Sequence, residues 1–191
     1  YKNDPEKMID YADKLVNGIE IMSDTNELPK SETSFDLDEL VKKWKRSFDL
    51  EFGGYSRAPK FMMPTNLDFL QTYGFLKKDK SILDYVDLTL TRMAWGGLFD
   101  TVHGGFSRYS VDIKWHIPHF EKMLYDNALM LKTYSDAYKR TNKPLYKEVI
   151  TKTIQFLNDE FYNAQGGFYS AFDADSLTKE NKLAEGAFYS W

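Results

Sequence analysis

Apolar residues recur at helical spacing in six stretches of the chain, separated by polar runs of very different length. The first opens with Asp4 and Pro5, a capping residue before a proline suited to a first helical turn. It carries Met8, Tyr11, Leu15, Ile19 and Met22 on one face. A polar run, SDTNELPKSETS, leads to the second, where Asp36 is placed to cap and Leu37, Leu40, Val41, Trp44 and Phe48 form the stripe. The third covers about Asn66 to Leu76, and KKDK joins it to the fourth, about Ser81 to Trp95. The fifth runs from near Phe120 to Arg140, with Met123, Leu124, Leu131, Tyr134 and Tyr138 as core candidates. After TNKP the sixth extends from about Leu145 to Phe161. Strand-like alternation is scarce and confined to short aromatic loops. The pattern predicts an all-α fold.

Three loops repeat one theme: FGGYSRAPKF after the second helix, HGGFSRYSVD after the fourth and QGGFYSAFDAD after the sixth. Their glycine pairs begin at Gly53, Gly104 and Gly166, so a helix pair plus a long loop recurs after 51 and then 62 residues. Short links within each pair favour antiparallel neighbours. With helices alternating up and down, all three loops emerge at one face. Glycine there permits positive φ or close backbone approach, and the aromatics that follow can line a shared cavity. A Gly-Gly after a helix also serves as a plain C-terminal stop, so a purely structural explanation stays open.

Formal charge is −4 with no basic block, which argues against a nucleic-acid surface. No uncharged apolar run approaches the roughly 20 residues that span a bilayer. The absence of cysteine excludes disulfides and thiolate metal sites here and is compatible with a cytoplasmic protein. The chain begins without methionine and stops within GAFYSW, which reads as a piece of something longer.

Candidate chemistry concentrates in HGGFSRYSVDIKWHIPHFEKMLYDNA, which holds all three histidines: His103, His116 and His119. Pro118 pushes Ile117 away from helical angles, so His116 falls in extended chain and His119 near the start of the fifth helix. Glu121 and Tyr125 then share one helical face, and Lys122 and Asp126 share another, where they could be only a surface ion pair. Such a polar cluster can tune a histidine for proton transfer, or can simply brace the loops. HxxH with Glu121 lacks the helical partner spacing of a zinc motif, so no metal is assigned. A second cluster holds Asp173, Asp175 and Glu185, a carboxylate set usable in glycoside cleavage or in ordinary turns. Arg57 and Lys60 in the first loop are placed to hold an anionic substrate group or the acids of the other loops.

GGYSRAPKF, GGLFDTVHGGFSRYSVDIKWHIPHFEKMLYDNA, GGFYSAFDADS and EGAFYSW resemble the spermatogenesis-associated protein 20 family, whose bacterial members are named thioredoxin domain-containing proteins of the YyaL type. The resemblance covers the chain from about residue 35 onward. It implies a thioredoxin-like domain elsewhere in the full protein, followed by an (α/α)6 toroid of the six-hairpin glycosidase type, related to N-acylglucosamine 2-epimerases. Residues 1–34 would be a connecting helix and loop, and 35–191 the first half of the toroid. The family's usual APKFP is here APKFMMP, and LTKENKLAEG replaces a glycine-bearing acidic segment after DADS.

Two functional classes follow. One is a carbohydrate-active enzyme, an epimerase or isomerase using His116 and His119 with Glu121 or Asp126 as orienting groups, or a hydrolase using Asp173 or Asp175 with Glu185. In that class Arg57, Lys60, His103, Arg108, Trp115, Tyr125 and Glu185 would contact a sugar, with Trp115 stacking on it and no cofactor. The other is a non-catalytic binding or scaffold module partnering the thioredoxin-like domain. Half a toroid by itself would expose helix faces and favour dimerisation or partial disorder.

Overall fold

The computed structural model describes residues 5–23 and 36–189, and the chain divides into two compact units, Tyr1–Leu40 and Val41–Trp191. In the first unit α1 spans Pro5–Ser23 and buries none of its residues, so Met8, Tyr11, Leu15, Ile19 and Met22 form a helical stripe that remains exposed. Asp4, expected to cap it, lies outside the described residues. Asp36 caps α2 (Leu37–Trp44) as expected, its Oδ1 accepting from the backbone N–H groups of Asp38 and Glu39. A short 3-10 turn, Lys45–Ser47, ends that helix before Phe48.

The second unit is built on two helical hairpins. Helix α3 (Pro64–Lys77) starts on a proline and turns through left-handed Lys78 into α4 (Lys80–Trp95), which Asp79 caps. Helix α5 (Leu124–Thr141) turns through left-handed Asn142 into α6 (Pro144–Phe156). Ile82, Tyr85, Val86, Thr89, Leu90 and Met93 give α4 a buried stripe at helical spacing. Helices α3 and α5 pack together, as do α4 and α6, so the hairpins form one layered core. Among the described residues no helix is long and apolar enough to cross a membrane.

The fifth helix departs from expectation at both its start and its buried face. It begins at Leu124 rather than Phe120, because residues before it pair as strands. Its inward face is Asp126, Asn127, Met130, Thr133, Tyr134 and Ala137, whereas Met123, Leu124, Leu131 and Tyr138 are only partly covered. The reason is Asn127. Its side-chain oxygen accepts from the Phe106 N–H at 2.7 Å, while its amide donates to the carbonyls of Phe106 and Met123. A buried polar clamp on the second loop sets the rotation of the helix.

Among the described residues nine short strands lie in and beside the loops. Strand β1 (Lys60–Phe61) of the first loop pairs with β2 (Tyr109–Ser110) of the second, and β2 pairs with β3 (Pro118–His119), all antiparallel. Strand β4 (Lys122–Met123) pairs with a strand of the third loop, β7 (Ala171–Phe172). In that third loop β5 (Tyr162–Asn163) pairs with β6 (Gly167–Phe168), and beyond it β8 (Asp175–Leu177) pairs with β9 (Leu183–Glu185). The three loops are thus joined directly, as the repeat predicted.

Inside the first two loops the same device appears twice. Asp49 N–H donates to the Gly54 carbonyl and Gly53 N–H returns to Asp49, while Asp100, Gly105 and Gly104 repeat this pattern. Each aspartate also accepts two backbone N–H groups at Oδ1, from Glu51 and Phe52 or from Val102 and His103. Its Oδ2 receives a buried ammonium, Lys60 on Asp49 and Lys122 on Asp100, both at 2.9 Å. Positive φ at Gly105 matters here, since a Cβ would sit 2.4 Å from the Phe156 ring. Burial pushes both aspartates up, but their N–H donors and lysines outweigh it and leave them below the usual carboxylate range.

Removing one partner of a buried pair strands the other charge. Lys122→Met is therefore expected to lower unfolding free energy by about 3–5 kcal/mol in urea titrations, and adding Asp100→Asn should recover part of that loss. Because Asp49 and Asp100 titrate below their unfolded value of 3.8, their contribution is complete above that pH and lost as pH falls through the folded values.

Candidate functional site

Across β1, β2 and β3 the residues Phe61, Tyr109 and His119 occupy one row, because Phe61 is opposite Tyr109 and Tyr109 opposite His119. Ring centroids are 4.9 Å apart for the first pair and 4.7 Å for the second, where the imidazole stacks at 18° to the phenol. The alternate residues Lys60 and Ser110 point inward and are buried, while Phe61 is 43% exposed. A short aromatic platform therefore faces outward on the loop side of the unit.

At its end His119 is fixed from three directions. Nδ1 lies 2.7 Å from Glu185 Oε1, Nε2 lies 3.8 Å from Glu121 Oε2, and Tyr109 supports the ring. Glu121 in turn accepts from Arg108 at 2.7 Å, and Tyr125 sits in the same polar group beside Arg108. Burial raises the carboxyl of Asp126 to about 6, partly offset by the Arg108 charge and reinforced by Glu121. Six predicted residues are thus brought together: Arg108, His119, Glu121, Tyr125, Asp126 and Glu185.

The remaining candidates lie elsewhere. His116 and His103 line a cavity of about 400 Å³ with Asp100, Lys122, Phe120 and Tyr189. Asp112 shapes the turn that presents His116 by accepting from the N–H groups of Lys114, His116 and Ile117. His119 is not in that lining, so the two histidines do not flank one space. Asp173 and Asp175 line a second cavity, which His103 also borders. Asp175 is the register partner of Glu185 across β8 and β9. Arg57 is exposed in a cleft beside Arg46 and Tyr55.

Four expectations are corrected. Lys60 is 1% exposed and spent on Asp49 and the Ile113 carbonyl, so it does not present its charge to a ligand. Trp115 is fully buried, donates Nε1–H to the Phe52 carbonyl, and lies under Lys60, which removes it as a stacking surface. Lys122 and Asp126 form no surface pair, because Lys122 belongs to a buried strand and holds Asp100. Glu121 and Tyr125 share no helical face, since Glu121 precedes the helix. Tyr109 and Phe61 were overlooked, although their alternation with Ser110 and Lys60 in the two SR-containing loops was the available signal. Among the described residues no group of three histidine or carboxylate side chains is placed to hold a metal ion.

No family model matches the chain. It is 39% identical over 177 residues to human spermatogenesis-associated protein 20, covering 90% of the chain and 22% of that protein. Identity with the mouse protein of that name is 44% over 149 residues, covering 75% of the chain and 19% of the relative. The chain belongs to the spermatogenesis-associated protein 20 family. An uncharacterized protein of Caenorhabditis elegans matches across 100% of the chain at 37% identity, and the chain spans 27% of its length. The chain thus corresponds to about a quarter or less of these family members.

Among solved structures, cellobiose 2-epimerase from Spirochaeta thermophila superposes with TM-score 0.63 at 19% identity, over 72% of this chain and 37% of that one. The enzyme of the same name from Bacillus thermoamylovorans gives 0.60 at 16%, over 76% and 42%. At such identities the likeness is one of fold. This family member is all-α and shares the α/α-toroid architecture of those epimerases.

Asp126 gives the site a measurable pH signature. Between its unfolded value of 3.8 and its folded value of about 6, the native protein holds a proton that the unfolded chain has lost. That contribution makes stability fall as pH rises across this interval. Asp126→Asn should remove it, raising the melting temperature relative to the parent at pH 7 and leaving the two alike near pH 4, in parallel thermal melts.

Proposed function

We propose that this unit binds a sugar on its loop face and exchanges a proton at the carbon next to the sugar carbonyl, as an epimerase or isomerase does. The observation that carries this reading is the 2.7 Å contact between His119 Nδ1 and Glu185 Oε1. It commits one ring nitrogen to a carboxylate and leaves Nε2 as the group that can take a proton. The Phe61–Tyr109 row offers stacking surface for the apolar face of a pyranose. Arg108, next to Glu121, supplies a cation for the oxygen that becomes negative when the C2–H bond breaks and its electron pair enters the enediolate. Reprotonation from the other side needs an acid, and Asp126, with its raised titration, fits that role better than His116 in its separate cavity.

A second reading is a non-catalytic module serving a thioredoxin-like domain of the full protein. It draws support from the two buried lysine–aspartate pairs, which show that loop charges in this fold are used for bracing. In that case the His119–Glu185 contact only ties β3 to the β8–β9 hairpin.

The two are separated by incubating the full-length protein with aldoses in D2O and reading deuterium at C2 by mass spectrometry. The expected result is incorporation with at least one aldose, abolished by His119→Gln with a melting temperature close to the parent's. No incorporation across a broad panel, together with a melting temperature lowered by several degrees in His119→Gln, would establish the bracing role instead.

A further inference from the structure

The second cavity, about 310 Å³, is at the small end of ligand sites. Its walls combine four aromatic rings, from Phe156, Phe172, Phe188 and Tyr189, with three carboxylates, from Glu160, Asp173 and Asp175. No lysine or arginine lines it, and His103, packed 5.3 Å from Phe188, is its one titratable base. Asp173 Oδ1 accepts from the Asp175 backbone N–H, and the Glu160 charge acts across the wall on the Lys122 ammonium. The three carboxylates sit at the exposed rim of the aromatic walls, where they attract a cation and repel an anion.

The protein itself shows what these rings hold. The Lys122 ammonium, which lines the neighbouring cavity and not this one, lies 4.4 Å from the Phe156 ring centroid and 4.7 Å from that of Tyr189. Ring faces at this place therefore already stabilise a desolvated ammonium, and Asp100 neutralises that one. The same two rings border the second cavity, where acids are present and no lysine enters.

We infer that this cavity is a binding site for a small organic cation bearing an alkylammonium group, held by the rings of Phe156, Phe172, Phe188 and Tyr189 and by Asp173, Asp175 and Glu160. The inference does not rest on proton transfer by His119, which lies outside the cavity. It replaces the hydrolytic role considered for Asp173 and Asp175 with recognition of charge.

Choline serves as the probe, with 3,3-dimethylbutan-1-ol as the uncharged molecule of the same shape, each titrated calorimetrically into the full-length protein. Saturable choline binding is expected, at least about tenfold tighter than the alcohol. The double variant Asp173→Asn, Asp175→Asn should lose about tenfold for choline and leave the alcohol unchanged. Equal affinity for the two probes, no saturable choline signal in the tens of millimolar, or choline binding indifferent to the double variant would each overturn the assignment. The comparison of probes on the parent protein decides the question even where a variant fails to fold.

Discussion

Two lysines that a surface reading would leave in water are instead sunk to 1% exposure beneath the loops, and each meets the aspartate that begins its own glycine turn. Burial pushes both ammonium groups below the ordinary lysine range, and the paired aspartates oppose it, helped by Asp112 at Lys60 and Glu160 at Lys122. Such a pair adds little net stability over an apolar substitute, yet it is intolerant of losing one member. Its effect is geometrical. Lys60 binds Ile113 of the second loop as well as Asp49 of the first, so the charge fixes one loop against the next. Lys122 binds Gly104 and Asp100 together, closing the second loop on the strand that leads into α5.

The third loop marks the limit of the device. Asn163 stands where Asp49 and Asp100 stand, accepts one N–H from Gln165, and has a glycine turn shorter by one residue. Tyr162 still pairs with Phe168 as Phe48 pairs with Tyr55 and Phe99 with Phe106. The neutral asparagine calls for no buried cation, and this loop is held by β7 and by the Phe161–Phe172 contact instead. The repeat therefore keeps its aromatic hairpin while exchanging an ionic anchor for an apolar one.

Helical spacing and the recurrence of Gly-Gly-aromatic were enough to read the hairpins and the gathering of the loops, because both depend on local periodicity. Cap residues such as Asp36 were legible for the same reason. What stayed hidden depended on partners distant in sequence. Lys60 looked like a ligand contact because nothing nearby in the chain announces Asp49 as its acceptor in a buried setting. Asn127 gave no signal of its own, because its function is to pair with Phe106, 21 positions earlier. Trp115 looked like a sugar platform, and only the fold shows its indole committed to the Phe52 carbonyl. The polar group around His119 was legible in membership for five of its six residues, which are close in sequence; Glu185, which does pair with Asp175 across β8 and β9, reaches His119 only through the fold.

That sixth member makes the group depend on a long stretch of the chain being in place. Sixty-six residues separate Glu185 from His119, and the intervening chain includes both α5 and α6. Closing so long a segment carries an entropic cost that the helices must first offset by packing. The imidazole therefore has its carboxylate only in a chain whose second hairpin is docked and whose β8–β9 ribbon lies against the first two loops. Any chemistry at His119 is in this way gated by completion of the architecture, and a nascent or partly unravelled chain would carry the histidine without its partner.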